Sequence, residues 1–229
     1  MVSAIILAGG SSSRMNGINK QLVELDGVPV FVLSALKFNS AADVDEVVIV
    51  SPDGCEEEYS RLARIYGVTK LKAVTAGGAT RFLSVKNALC KVSDEADYIA
   101  IHDGARPLIQ TEDIERVIAD AVKYGASIAA TPASDTVKIS ADGFVKSTPP
   151  RETLWYAQTP QIFSKKLYID CVNNLGDKAD SVTDDSSILE MCGERVFITE
   201  ITTNNMKMTR PDDITAAQAI YHSRGGTNS

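Results

Sequence analysis

Several features that would assign a function at once are missing from this 229-residue chain. The four cysteines are widely spaced and form no C-x-x-C pair, so we expect free thiols in a reducing cytoplasm. No apolar run approaches the roughly 20 residues that cross a bilayer. The N-terminus lacks a basic region followed by a cleavable apolar segment. We therefore expect neither a membrane span nor a secretory signal.

Positive charge is scarce as well. The formal net charge of −7 argues against a surface that binds nucleic acid or an anionic membrane. The phosphate-binding patterns G-x-x-x-x-G-K-[ST] and G-x-G-x-x-G are both absent, and the second absence disfavours a dinucleotide-binding oxidoreductase. Any bound phosphate must therefore be held by a few local cations.

The N-terminus supplies such a place. An apolar strand predicted at Ser3–Ala8 runs into the loop G-G-S-S-S, which has almost no side-chain bulk. The backbone N–H groups of such a loop can approach a ligand closely and surround an anion. Two cations follow, Arg14 and Lys20. Because ligands usually sit at the carboxyl ends of strands in open α/β sheets, this segment predicts a polyphosphate site.

Apolar strands alternate with amphipathic helices over most of the chain, which predicts one α/β domain with a mostly parallel sheet covered on both faces. The predicted strands are Ser3–Ala8, Glu46–Ser51, Leu71–Thr75, Tyr98–His102, Ala126–Thr131 and Val196–Ile201. The predicted helices are Pro29–Phe38, Cys55–Tyr66, Arg81–Lys91, Thr111–Tyr124, Ser164–Asn173 and Pro211–His222. Thr111 is expected to cap its helix, and Gly125 to end it.

The alternation breaks after Pro132. Two short strands, Thr136–Ser140 and Phe144–Thr148, flank the turn dipeptide Asp142-Gly143 and predict a hairpin with no strong apolar face. Such a hairpin projecting from an α/β domain is often an arm that docks on another subunit. We assign an arm to residues 136–158; the alternative is an exposed excursion without a partner.

Further polar clusters fall where strands end or loops begin. Taken singly, each is ordinary: a turn, a helix N-terminus or solvated surface charge. The clusters are Gly77-Gly78 with Arg81 and Ser84, H-D-G-A-R-P (102–107), D-T-V-K (135–138), Arg151 with Q-T-P-Q (158–161), T-D-D (183–185) and N-M-K (205–207).

Together and in this order, the clusters resemble the 2-C-methyl-D-erythritol 4-phosphate cytidylyltransferases. The most specific segments are A-G-G-x-x-x-R-M…K-Q, G-G-x-x-R-x-x-S-V, H-D-G-A-R-P, D-T-V-K, R-E-T-L-W-Y-A-Q-T-P-Q-I-F, T-D-D-S-S-I-L-E and N-M-K-M-T-R-P-D-D. The resemblance covers residues 3–219. It implies a single Rossmann-like nucleotidyltransferase domain with a projecting β-hairpin arm, a requirement for Mg²⁺, and a homodimer whose arms complete each other's sites.

The implied reaction fits the composition. A sugar phosphate oxygen would attack the α-phosphorus of CTP, and pyrophosphate would leave. The second pKa of a phosphate monoester is about 6, so the nucleophile is already an anion near neutral pH. A general base is therefore unnecessary, which suits a chain with two histidines. Catalysis must come from positioning and charge neutralisation.

The resemblance assigns roles residue by residue. Arg14 and Lys20 match the cations that contact the triphosphate and stabilise the transition state. Ala8, Gly9, Gly10, Gly78 and Ser84 match the residues that hold cytosine and ribose. Arg106, Thr136, Arg151 and Lys207 match those that bind the polyol phosphate. Asp103 is placed with the nucleotide residues, but ribose, substrate hydroxyls and the metal all stay open as its partner, and no direct metal ligand is assigned.

Two other functions stay open. Ribitol 5-phosphate cytidylyltransferases share the fold and CTP, and the L-A-G-G opening at 7–10 favours them, whereas Lys138 and the T-D-D segment with Glu190 favour methylerythritol phosphate. A non-catalytic nucleotide-binding protein on the same fold is the third possibility, because fold alone does not fix function. The joint presence of Arg14, Lys20, Arg151 and Lys207 argues against it.

Overall fold

A computed structural model of the chain describes residues 1–10 and 19–225, apart from the side chains of residues 177 and 181. Its elements alternate between strand and helix over the first half of the chain. The strands are β1 (Val2–Leu7), β2 (Glu24–Leu25), β3 (Val28–Pro29), β4 (Glu46–Ser51), β5 (Leu71–Ala76), β6 (Tyr98–Asp103), β7 (Ala126–Pro132), β8 (Ile139–Ala141), β9 (Phe144–Ser147), β10 (Trp155–Ser164) and β11 (Phe197–Glu200). The helices are α1 (Val30–Ser40), α2 (Glu56–Ile65), α3 (Arg81–Leu89), α4 (Thr111–Tyr124), α5 (Lys165–Leu175), α6 (Ser186–Met191) and α7 (Asp212–Ser223).

Seven strands form the central sheet, in the order β11-β7-β10-β6-β1-β4-β5. β1, β4, β5 and β6 pair in parallel, as do β7 and β11, whereas β10 runs antiparallel to both β6 and β7. The predicted mostly parallel α/β sheet is therefore confirmed. From β1 the chain first builds outward through β4 and β5 and then returns to add β6 on the other side. The strand order thus reverses beside β1, which is where open α/β sheets bind ligands.

Both faces of the sheet are buried, as expected for parallel strands covered by helices. Successive side chains of a strand point to opposite faces. In β1, Ile6 accordingly packs in a core with Phe31 of α1 and Val117 of α4. Ile5 instead packs in the core on the opposite face with Val85 of α3.

Most predicted boundaries agree with the structure, and β4 and α4 have the predicted limits. Gly125 ends α4 in a left-handed conformation at φ 88°, as predicted. The prediction for Thr111 is wrong. The N-cap position belongs to the extended Gln110, no side chain caps the helix, and Thr111 is its first helical residue.

The predicted hairpin is present as β8 and β9, with Asp142 and Gly143 at positive φ in its turn. Every residue of the two strands is exposed. Trp155–Ala157, at the C-terminal end of the segment 136–158 assigned to the arm, pair with β7 in the central sheet. Two apolar side chains of the hairpin are strongly exposed, Phe144 by 79% and Val145 by 64%.

Sequence analysis predicted no strand at β10. Pro160 lies in its interior, and proline is normally excluded from a central strand. The structure accommodates this proline where the β10–β7 register shifts, between Ala157 and Gln161. Among the described residues, no helix is both long and apolar enough to cross a bilayer.

Candidate active site

A cavity of about 370 Å³ opens at the carboxyl ends of β1, β4, β5 and β6. The strand order reverses here, between β6 and β1, whose ends are joined by a hydrogen bond from the N–H of Gly104 to the carbonyl of Leu7 (2.9 Å). Many residues assigned from sequence line this one cavity. They are Gly9, Gly10, Lys20, Gly78, Ser84, Asp103 and Lys207.

Two glycines are required by the close approach of backbone segments beside the cavity. A Cβ at Gly9 would lie 2.8 Å from the carbonyl oxygen of Ser51. A Cβ at Gly78 would lie 2.4 Å from the Cβ of Leu83. Gly10 differs, since a Cβ there would meet no heavy atom of the described structure within 4 Å. Protein packing therefore explains the glycine at 9 and at 78, but not the one at 10.

Ser84 shapes the loop before α3. Its hydroxyl accepts a hydrogen bond from the N–H of Gly78 (3.0 Å) and donates one to the carbonyl of Thr80 (2.9 Å). The Thr80 hydroxyl caps α3 by accepting from the N–H of Leu83 (3.2 Å). The G-G-x-x-R-x-x-S segment thus forms a ledge held by its own hydroxyl groups.

Asp103, the last residue of β6, lies among three cations. Its Oδ2 is 2.8 Å from Lys207 Nζ and 3.5 Å from Arg106 Nε, and its Oδ1 is 3.7 Å from Arg81 Nε. Burial alone would raise the pKa of Asp103, but the charges of the three cations outweigh burial and hold that pKa well below its usual range. Asp103 is therefore an anion at any pH near neutrality.

Lys207 reaches the cavity from the segment after β11, which is fastened to the loop that follows β6. The N–H of Met208 donates to the carbonyl of Ala105 (2.9 Å). The Nη1 of Arg106 donates to the carbonyl of Asn205 (2.8 Å). Arg106 is thus positioned behind Asp103, where it holds the segment that carries Lys207.

His102 is buried and uncharged. Burial lowers its pKa from 6.5 to about 4. Its Nε2 lies 3.2 Å from the carbonyl of Arg106, and a carbonyl only accepts, so Nε2 carries the proton. Nδ1 then accepts from the Thr159 hydroxyl (3.1 Å), whose oxygen in turn accepts from the N–H of Asp103 (3.0 Å). His102 therefore fixes the backbone at the end of β6 rather than exchanging protons with a substrate.

The T-D-D segment meets the Q-T-P-Q segment behind the cavity. Asp184 accepts hydrogen bonds from the Nε2 of Gln161 (2.7 Å) and from the hydroxyls of Ser186 and Ser187. Its neighbour Asp185 accepts from the guanidinium of Arg81. The segment after α5 is thus joined both to β10 and to α3.

Four assigned residues are absent from the described lining of this cavity: Ala8, Arg106, Thr136 and Arg151. Ala8 is fully buried behind the cavity. Thr136 and Arg151 are exposed on the segment around the hairpin and are absent from the described lining, and Arg151 donates from Nη1 to the carbonyl of Ser134 (3.2 Å). Arg14 lies outside the described residues.

A divalent cation would meet a sparse set of protein ligands. No group of three His, Cys, Asp or Glu side chains comes together in the described residues, and Asp103 is the carboxylate among the described cavity residues. Mg²⁺ is usually bound by one or two carboxylates together with substrate phosphates. The donor chemistry therefore fits a Mg²⁺ ion that arrives with a triphosphate.

Several residues near the site had no assigned role, among them Gln21, Arg81 and Tyr168. Gln21 lines the cavity, and its position directly after Lys20 in the K-Q motif could have indicated this. Tyr168 is fully buried in α5 and donates a hydrogen bond to Asp185 (2.8 Å). Nothing in the local sequence around Tyr168 indicates that contact.

Known proteins resemble the chain over nearly its whole length. The family model described as "IspD: 2-C-methyl-D-erythritol 4-phosphate cytidylyltransferase" matches residues 2–223. The protein of that name from Alkaliphilus oremlandii is 39% identical over 97% of this chain and 95% of its own length. Its namesake from Pelotomaculum thermopropionicum is also 39% identical, over 98% and 96%.

Solved structures agree. A 4-diphosphocytidyl-2C-methyl-D-erythritol synthase from Anaerococcus prevotii superposes with a TM-score of 0.86 at 30% identity, over 96% of both chains. The 2-C-methyl-D-erythritol 4-phosphate cytidylyltransferase from Thermus thermophilus superposes with a TM-score of 0.77 at 25% identity, over 95% of this chain and 98% of its own. The family model, the curated relatives and the fold agree, and the chain therefore belongs to the 2-C-methyl-D-erythritol 4-phosphate cytidylyltransferase family.

Proposed function

We propose that the protein transfers CMP from CTP to 2-C-methyl-D-erythritol 4-phosphate and releases pyrophosphate. Besides the family match, one observation carries the proposal. Three cations, Lys20, Arg81 and Lys207, line the same cavity as the close-packed glycine ledge at Gly78. The cavity therefore offers cations for a polyanion directly beside a glycine segment against which a small base fits.

The reaction needs little acid–base chemistry from the protein. A phosphate oxygen of the acceptor forms a bond to the α-phosphorus, and the bond between that phosphorus and the bridging oxygen to the β-phosphorus breaks. Because the acceptor phosphate is a dianion above its second pKa of about 6, no side chain has to remove a proton. The neutral His102, held between Arg106 and Thr159, agrees with this expectation.

The cations have separate tasks in this proposal. Lys20, with Arg14 from the same segment, neutralises the triphosphate as charge moves to the leaving pyrophosphate. Lys207 and Arg151 bind the acceptor phosphate, and Arg suits a phosphate because its planar fork donates two parallel hydrogen bonds. Thr136 joins them from the arm segment, whereas Arg106 acts from behind Asp103.

We place the nucleotide base between Gly10 and Gly78, against the ledge formed by the G-G-x-x-R-x-x-S segment. Backbone groups exposed there can read the edge of a pyrimidine, and the small residues leave little room for a purine. Ser84 keeps the ledge in place through its bonds to Gly78 and Thr80. Mg²⁺, held by Asp103 and triphosphate oxygens, would supply additional neutralisation of the transferred phosphoryl group.

The arm is proposed to complete the site of a second copy. Thr136 and Arg151 are absent from the described lining of their own chain's cavity, although the family assigns them to the acceptor. The hairpin also exposes Phe144, Val145 and Ile139, an apolar surface that a second subunit would cover. We therefore propose a homodimer, and we place it in the cytoplasm because all four cysteines are free thiols.

The first experiment compares acceptors. Purified protein with CTP and Mg²⁺ is expected to release pyrophosphate with 2-C-methyl-D-erythritol 4-phosphate and much less with ribitol 5-phosphate, measured by a coupled phosphate assay. The opposite preference would assign the ribitol substrate. Binding of CTP by calorimetry without release of pyrophosphate from either acceptor would indicate a non-catalytic nucleotide-binding protein.

The second experiment tests the shared site. Lys20→Ala and Arg151→Ala chains are each expected to be inactive as homodimers. If the arm crosses between subunits, a mixture should regain part of the activity, because each heterodimer has one site with both residues intact. Subunit exchange is verified first with tagged chains. Absence of rescue after proven exchange would place Arg151 in the site of its own chain.

A further inference from the structure

Arg81 has no assigned role, although it is the first residue of α3 and lines the cavity. Its guanidinium extends between two carboxylates. Nη1 donates to Asp185 Oδ2, and Nε lies 3.7 Å from Asp103 Oδ1. Its side chain is 31% exposed, so one part faces the cavity while another is held from behind.

Asp185 is the residue that holds it. The Asp185 side chain is only 1% exposed, and its second oxygen accepts a hydrogen bond from the hydroxyl of Tyr168 (2.8 Å). Complete burial raises the pKa of Asp185, although Arg81 and Tyr168 both oppose that rise. A carboxylate this buried is costly unless it is paired and hydrogen-bonded, so Asp185 and Arg81 depend on each other.

The same pair ties α3 to the segment before α6. Burial lowers the pKa of Arg81, but Asp185 and Asp103 more than offset it, so the net shift is upward. Next to Arg81, the Thr80 hydroxyl donates to Asp180. The first turn of α3, which carries the Ser84 ledge, is thus fastened twice to residues about 100 positions later in the chain.

Without Asp185, Arg81 would have one carboxylate left. That carboxylate is Asp103, whose Oδ2 already pairs with Lys207 Nζ at 2.8 Å and with Arg106 Nε at 3.5 Å. Arg81 would then move toward Asp103, away from its place at the cavity wall. Asp185 therefore determines where the positive charge of the Arg81 guanidinium lies at the cavity wall.

We propose that Asp185, assisted by Tyr168, is a positioning residue for the nucleotide. It fixes the Arg81 guanidinium at the cavity wall so that this cation lies against the triphosphate of bound CTP. The inference rests on the proposed function for the identity of the nucleotide. It makes Arg81 a nucleotide contact and Asp185 the residue through which that contact is aligned.

The test is a double-mutant cycle on Asp185→Asn and Arg81→Lys, read by steady-state kinetics and by calorimetric binding of CTP without acceptor. Because a misplacement of about 1 Å can cost roughly 100-fold, Asp185→Asn is expected to lower kcat/KM for CTP by about that factor. The KM for the acceptor should change little. The double variant should be no worse than Arg81→Lys alone, since contacts in one network are not additive.

Tyr168→Phe provides a milder second variant that removes only one hydroxyl from Asp185. Because Asp185 keeps its pair with Arg81 in this variant, roughly a 10-fold rise in the Kd for CTP is expected. If Asp185→Asn does not fold, the cycle of Tyr168→Phe with Arg81→Lys decides in its place. Multiplicative effects in the cycle, or unchanged CTP binding in the folded variants, would overturn the proposal.

Glu46→Gln is the matched control. Glu46 is also buried, pairs with Lys72 Nζ at 3.1 Å and accepts from the Ser93 hydroxyl (2.6 Å), but it lies at the start of β4, at the opposite end of the strand from the cavity. Glu46→Gln should lose thermal stability and keep its CTP affinity. An equal loss of affinity would mean that Asp185 acts only through general stability. If the wild-type protein binds CTP but forms no product, the proposed function is refuted. The CTP-binding measurements alone then decide whether Asp185 positions Arg81.

Discussion

Replacement of His102 tests whether the end of β6 is as tightly buried as the structure shows. His102 is fully buried, and burial lowers its pKa from 6.5 to about 4. Between these pH values the unfolded chain binds a proton that the folded chain does not. Stability from the neutral imidazole is therefore fully present above pH 6.5 and is lost as the pH falls toward 4.

The magnitude follows from the shift. A shift of this size corresponds to at most roughly 3 kcal/mol, of which about 2 kcal/mol is lost by pH 5. His102→Gln keeps one donor for the carbonyl of Arg106 and one acceptor for Thr159 but does not titrate. We therefore expect its free energy of unfolding to fall less than that of the wild type between pH 7.5 and pH 5, by about 2 kcal/mol.

Urea denaturation at both pH values measures the difference. The comparison at pH 7.5 gives the direct packing cost of the substitution, and carboxylates that titrate in both proteins cancel. A parallel measurement of the His102 ring proton shifts by NMR should give a midpoint near the depressed value. Equal losses of stability in the two proteins would refute the reasoning, since the imidazole would then be able to charge in the folded state.

The remaining predictions concern the cavity. Gly78→Ala should lower the melting temperature and weaken CTP binding, because its Cβ would lie 2.4 Å from the Cβ of Leu83 and overpacking costs about 1–3 kcal/mol. Gly10→Ala should leave the melting temperature unchanged and still weaken CTP binding in calorimetry, and unchanged binding would remove Gly10 from the nucleotide site. Lys207→Met should raise the acceptor KM by more than about 10-fold with little effect on the Kd for CTP, since one charge-assisted contact is worth about 1.5–3 kcal/mol. A larger effect on CTP than on the acceptor would contradict that assignment.

The sheet could be predicted because its signals are local. Glu46–Ser51 contains four consecutive apolar residues, and Thr111–Tyr124 repeats its apolar residues at helical spacing, so both predicted elements agree with the structure. β10 carried no such signal. Pro160 interrupts it, and its partners in β7 and β6 lie many residues away along the chain. Only the three-dimensional structure shows that β10 lies between β7 and β6 in the sheet.

The residues of the candidate site likewise include some that the sequence predicts and some that it does not. Gly9, Gly78 and Asp103 lie at or just after the carboxyl ends of the parallel strands β1, β5 and β6, and topology alone places such residues at one edge of the sheet. The contact of Arg81 with Asp185 joins residues separated by 104 positions, and no local pattern encodes it. The arm is a third case. In the proposed homodimer, the place where Arg151 acts depends on a second chain, whose position neither the sequence nor one subunit supplies.

The two carboxylates explain how so many cations coexist before any substrate binds. Two like charges about 4 Å apart repel by roughly 4 kcal/mol at the effective dielectric near a protein surface. Asp103 and Asp185 hold Arg81 between them, and Asp103 also holds Arg106 and Lys207. The positive groups are thus fixed by protein contacts rather than by the ligand. Because they need not reorganise when phosphates arrive, their attraction is available for the charge that develops during transfer.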